Sequence, residues 1–156
     1  MTLSRRRFLF SPLRLFGLKI GCMLGLISLT REAAAGKSAS DPEQDRFQEA
    51  MGLELRGAEA VESPAITLEV PGVAEDGAIV PITLESRIAA TDRLVLFVEK
   101  NPFPLIAAFE FADRAAPSVS LRIKMNESSA VVVLARARGK YYRTVQWVRV
   151  VRGGCG

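Results

Sequence analysis

The chain is 156 residues long, with 21 Lys and Arg against 17 Asp and Glu, a formal net charge of +4, and no histidine. Without imidazole there is no Ser–His or Cys–His nucleophilic pair, no histidine metal site and no imidazole general base. Two cysteines, Cys22 and Cys155, bound the thiol chemistry, and the basic balance raises nucleic acid as a partner only if the charge survives in the mature protein.

Most of that charge sits at the start. "TLSRRRFLF" sets Ser4, Arg5, Arg6, Phe8 and Leu9 in the spacing of a twin-arginine export signal. The apolar stretch behind it, Leu13 to Leu29, is interrupted by Lys19 and by Gly17, Gly21, Gly25 and Ser28. A bilayer span needs about 20 mostly apolar residues, so stable membrane insertion is not expected. Ala33 and Ala35 fit a small-x-small cleavage site. Residues 1–35 therefore read as a signal peptide that sends a folded protein to the periplasm by the twin-arginine route. Six of the 21 basic residues and one of the 17 acidic residues lie in this segment, leaving 15 and 16, a net charge near −1. The case for nucleic acid leaves with the peptide.

Cys22 leaves too, and Lys19 makes "KIGC" a poor lipoprotein acylation box. Cys155 is then the one thiol of the mature chain. In an oxidising compartment a lone thiol is either intermolecular or functional.

Residues 36–151 suit a single domain. After a polar linker, Gly36 to Ser40, the stretch "DPEQDRFQEAMGLELRG" predicts a helix. Asp41 can cap it, Pro42 fits its first turn, and Glu43 and Asp45 favour its positive end. Phe47, Met51 and Leu55 recur every four residues on one face, and Gly57 stops it. From Ala65 the pattern changes to short β-type runs: "AITLEV", "AIVPITLES", "RLVLFVEK", "LIAAFEF", "SVSLRIKM", "SAVVVLARA" and "KYYRTVQWVRVV". Seven such runs broken by Pro-Gly, Asn-Pro and Arg-Gly-Lys predict an all-β, antiparallel sandwich. "AVVVLA" and "VQWVRVV" are apolar on both faces, whereas a strand with one wet face alternates. Either the protein's own helix and loops or a partner subunit covers the outer face.

The chain closes with "RGGCG", residues 152–156, which carry no apolar anchor. Gly153 and Gly154 read as a joint. Five residues at up to about 3.6 Å each would let the Cys155 sulfur sweep roughly 15 Å from the body, as a mobile carrier arm does.

Taken together, these residues resemble the SoxY family, the sulfur-carrying subunits of the periplasmic thiosulfate-oxidising Sox system. "ITLEVPGVAEDGAIVPITLES", "LVLFVEKNPFPLIAAFEF" and "SVSLRIKMNESSAVVVLARARGKYYRTVQWVRVV" look like the family's strand blocks, and "GGCG" looks like its signature. Typical members carry two glycines after the cysteine, where this chain has Gly156 alone. The resemblance implies an immunoglobulin-like sandwich with Cys155 as the covalent attachment point for sulfur and Gly153, Gly154 and Gly156 as flexible flanks. It also implies a heterodimer with a SoxZ-like subunit and transient visits to a c-type cytochrome sulfur-coupling enzyme, a sulfohydrolase and a sulfur dehydrogenase. Those enzymes would hold the haem and metals, and this chain would bind no cofactor and catalyse nothing itself.

Three other classes fit less well. A structural or binding sandwich would use Cys155 only for an intermolecular disulfide. A ubiquitin-like sulfur carrier works through a terminal Gly-Gly carboxyl and ATP, but here the glycines precede a cysteine and the expected compartment lacks ATP. An enzyme would need an acid and a base around the thiol. Carboxylates such as Asp113 and Glu127 are better read as solvated charge.

Overall fold

The computed structural model describes residues 41–153. The expected signal segment with Arg5 and Arg6, the Gly36–Ser40 linker, and Gly154, Cys155 and Gly156 lie outside the described residues.

Helix α1 spans Pro42–Leu55. Its start is built as the sequence predicts, with the Asp41 side chain accepting from the Glu43 N–H and Pro42 in the first turn. Its end uses one residue more than expected. Arg56 takes a left-handed conformation (φ 50°) and donates its N–H to the Gly52 carbonyl, before Gly57 follows at φ 86°.

Nine strands follow: β1 Ala60–Glu62, β2 Ile66–Glu69, β3 Val73–Ala74, β4 Val80–Ser86, β5 Thr91–Val98, β6 Leu105–Glu110, β7 Ser118–Ile123, β8 Ser129–Ala137 and β9 Lys140–Val150. The larger sheet runs β1-β9-β8-β5-β6, with β3 also pairing β9, and the smaller runs β2-β4-β7. All seven expected runs form strands, and the pairings among them are antiparallel. The two strands the sequence did not announce, β1 and β3, pair with β9 in parallel. At three and two residues they are too short to show a period of two. The β8–β9 hairpin turns through Arg138 (φ 51°) and Gly139 (φ 72°), the positive-φ pair that matches the twist of the flanking strands. Pro81 fits inside β4 because β2 ends at Glu69 opposite Thr83, so the proline lies beyond that partner.

The strands with two apolar faces explain the layering. One face of the larger sheet contributes Leu94, Leu96, Val98, Val131, Val133 and Ala135 to the core it shares with Val80, Ile82 and Leu84 of the smaller sheet. The opposite face presents Val95, Phe97, Val132, Leu134 and Tyr141 to Phe47 of α1. Phe47 meets Phe97 edge to face, centroids 6.1 Å apart. Burying that one ring contributes about 1.5–3 kcal/mol. The protein's own helix therefore covers the outer face of β8. On β9 the cover is incomplete, because Val145 and Trp147 pair with Val132 and Ala130 on this face yet remain 48% and 57% exposed.

Candidate functional site

The candidate site is the end of the molecule from which the C-terminal segment departs. Three backbone segments converge there. Val151 donates its N–H to the Ala74 carbonyl at 2.9 Å, and Gly77 donates to the Arg152 carbonyl at 2.9 Å. Gly77 in turn accepts from the Met125 N–H at 2.7 Å, so one glycine ties the tail to the 124–126 loop. Ser128 adds a side-chain tie, its Oγ accepting from the Val150 N–H at 2.9 Å.

The 124–126 loop is held from inside by Asn101, which is 7% exposed. Its Nδ2 donates to the Lys124 carbonyl (2.8 Å) and its Oδ1 accepts from the Asn126 N–H (3.0 Å). A single amide thus satisfies the main chain on both sides of Met125, whose side chain is fully buried. The main-chain oxygen of Asn126 then rests against Gly153, and a methyl group at Gly153 would collide with it. Gly153 does not take a left-handed φ, so space rather than backbone freedom demands glycine there.

This revises the expected arm. Arg152 has no apolar anchor but does have a backbone one, and Gly153 sits against the body. Of the expected flexible flanks, Gly153 is seated against the body, and Gly154 and Gly156, with Cys155 between them, lie outside the described residues. Sequence reasoning read "KNPFP" only as a turn and missed Asn101, and it attached no role to Gly77, Asn126 or Ser128. A buried asparagine beside a proline leaves no periodic signal.

An open groove of about 510 Å³ lies beside this root, lined by Phe103, Leu105, Arg122, Lys124 and the two asparagines among others. The larger cavity, about 730 Å³, opens among Ser86, Thr91, Phe111, Pro117 and Arg138. That is the opposite end of the sandwich, away from the tail. Ionic side chains cluster at that same opposite end. Arg93 grips the Glu54 carboxylate in bidentate fashion (2.8 and 2.9 Å) and also pairs with Glu110, while Arg136 bonds Asp92 at 2.8 Å. The Arg93 bond holds the Glu54 carboxyl below its usual range although burial opposes the shift, and the Glu54 bonds push the Arg93 guanidinium up. Tyr141 donates to the Glu54 carbonyl at 3.0 Å, which fastens α1 to β9. These pairs satisfy one another and face no reacting group. Glu127 pairs with Lys100 at 3.7 Å on the surface. Among the described residues no cluster of three or more Cys, Asp or Glu side chains is placed to hold a metal ion, and no helix is long and apolar enough to cross a membrane.

The model of the sulfur oxidation protein SoxY matches residues 53–155. The solved structure of the sulfur carrier protein SoxY from Chlorobium limicola f thiosulfatophilum superposes with a TM-score of 0.63 at 34% identity, over 68% of this chain and 96% of that one. The chain belongs to the SoxY family. It is thereby a member of a family of sulfur carrier proteins with an immunoglobulin-like β-sandwich. A superoxide reductase (neelaredoxin) from Ignicoccus hospitalis aligns at 16% identity over 66% of this chain and 90% of its own, with a TM-score of 0.49. Among curated protein sequences none matches. In this SoxY-family member the family match runs through the whole root just described and reaches Cys155.

Proposed function

We propose that this protein is an exported carrier that binds sulfur intermediates covalently on Cys155 and presents them to the enzymes of a thiosulfate-oxidising system. The observation that carries the reading is the family match extending to residue 155, the position of the one cysteine outside residues 1–35.

An unperturbed thiol has a pKa near 8.5, so only a few per cent is thiolate at neutral pH. Activation to the thiolate therefore falls to the pocket of the visiting enzyme. There Cys155 thiol and thiosulfate would lose one proton to water and two electrons, taken one at a time by two equivalents of oxidised c-type haem of the coupling enzyme, forming an S–S bond and a cysteine thiosulfonate, Cys–S–SSO3⁻. Hydrolysis by a sulfohydrolase then breaks the terminal S–S bond. Water supplies the fourth oxygen of sulfate, one proton is released, and a persulfide, Cys–S–SH, stays on the carrier for a sulfur dehydrogenase. In this division of labour the carrier supplies the handle and performs no catalysis.

Export rests on the Arg5–Arg6 motif, and a signal for folded export allows a leaderless SoxZ-like subunit to travel with the chain. The half-exposed Val145 and Trp147 beyond the reach of α1 support such a subunit, since apolar surface of this kind marks interfaces.

The test is an intact mass spectrum of the protein purified from cells grown on thiosulfate, beside its Cys155→Ser variant. Sulfane, sulfonate or thiosulfonate adducts are expected on the parent alone, with the variant folded but inactive in a reconstituted oxidation assay. Normal thiosulfate oxidation by Cys155→Ser would sink the carrier reading, and a stable covalent dimer without adducts would replace it with the disulfide-linked structural protein.

A further inference from the structure

We propose that Gly153 is the fixed root of the C-terminal arm rather than part of its joint. In this proposal Asn101 is a positioning residue that sets where Cys155 is presented. The inference rests on the carrier reading above and concerns how the carrier directs its cargo.

Asn101 is the innermost element. Buried polar side chains need every bond they can make, and this one commits donor and acceptor to two main-chain groups two residues apart, the Lys124 carbonyl and the Asn126 N–H. The loop is thereby fixed in a shape that aims the Asn126 carbonyl at the tail. Gly77 fixes the tail from the other side, donating to Arg152 while accepting from Met125. Between these two contacts the chain has one path, and only a residue without a side chain can follow it past Asn126.

The consequence is mechanical. Because the chain is held as far as Gly153, Cys155 lies two residues along the sequence from one fixed exit. A reactive group held near one position meets an enzyme pocket with less orientational loss, and a misplacement of about 1 Å costs up to about 100-fold in rate. A five-residue free tail would gain reach and lose that registration. Side-chain identity at 126 is immaterial to the root, since the contact belongs to its main chain. The side chain at 101 is essential to it.

The test compares Gly153→Ala, Gly154→Ala, Asn126→Ala and Asn101→Asp in a Cys22→Ser background of the full chain with its partner subunit. Three quantities are read: amide hydrogen exchange at Gly77 and Met125, the rate of sulfur loading by the coupling enzyme from thiosulfate, and the rate of alkylation of Cys155 by iodoacetamide. Gly153→Ala should speed exchange at Gly77 and slow enzymatic loading by about 10- to 100-fold, with alkylation unchanged within about twofold. Asn101→Asp keeps the acceptor for the Asn126 N–H but sets a carboxylate against the Lys124 carbonyl, and should act in the same direction. Asn126→Ala should match the parent in all three. Parent-like exchange and loading in Gly153→Ala would overturn the proposal, as would slowed loading in Gly154→Ala alone. Faster exchange without slowed loading would leave a structural anchor and remove the positioning role. A parent that takes no sulfur at all would overturn the carrier reading, and the positioning role with it, whatever the exchange data show.

Discussion

The two ends of the sandwich are fastened by different kinds of bond. At the end where α1 finishes, charged side chains do the tying: Glu54, Arg93, Glu110, Arg136 and Asp92, with Tyr141 reaching from β9 to the helix. At the end where the tail departs, main-chain groups do it, through Gly77, Ala74, Met125 and Asn126, with Asn101 and Ser128 as the participating side chains. Charged pairs yield to pH, and the more exposed of them, such as Arg136 with Asp92, to salt as well. Main-chain bonds and close steric contacts ignore both, yet fail when one atom is added in the wrong place.

The largest effect should come from the buried amide. Asn101→Ala strips partners from the Lys124 carbonyl and the Asn126 N–H together, and at about 1–3 kcal/mol for each unsatisfied group it should cost about 2–6 kcal/mol in urea unfolding. A loss below about 1 kcal/mol would mean that water replaces the amide and that the two ends are alike.

Glu54→Gln should cost less, about 1–2 kcal/mol, because the neutral side chain keeps the shape and one acceptor while losing the charge assistance of Arg93. This loss has a pH signature. The Glu54 carboxyl is held below its unfolded value by the Arg93 bond, so its contribution is fully present above the unfolded pKa of about 4.3 and disappears as pH falls through the lower folded value. Unfolding of parent and variant should therefore differ at pH 7 and converge in acid, whereas the Asn101→Ala loss should persist across that range. A pH-independent gap for Glu54→Gln would contradict the electrostatic account of that end.

The smallest effect tests the other half of the contrast. Lys100 and Glu127 pair at 3.7 Å near the tail end, with 36% and 50% of their side chains exposed. Glu127→Gln should change stability by less than about 0.5 kcal/mol, and about 1 M salt should leave Gly77 exchange where it was. A larger change would show that charge contributes to the root after all.

Much of this protein was legible along the chain. Helix and strand periodicity come from local choices, so "DPEQDRFQEAMGLEL" declared its cap, its apolar stripe and its end, and all seven expected runs became strands. Apolar residues on both faces of "AVVVLA" announced a covered sheet, and Phe47 of α1 supplies that cover. The family resemblance was legible in "GGCG" together with those strand blocks, and the match to the SoxY model bears it out.

Other features depend on which distant segments meet, and no local pattern encodes that. The parallel strands β1 and β3 exist only because β9 offers them an edge. Ala60 and Tyr141 are far apart in sequence and adjacent in the sheet. Gly153 looked like half of a flexible pair, since sequence shows that a side chain is missing but not what occupies its space. Only the folded chain brings the Asn126 carbonyl, aimed by a buried Asn101, into that space. Composition and spacing therefore determined an all-β sandwich with one helix at its start and the membership of the SoxY family. Tertiary packing decided that Gly153 is seated against the Asn126 carbonyl, because steric exclusion acts between atoms that the sequence keeps 27 residues apart.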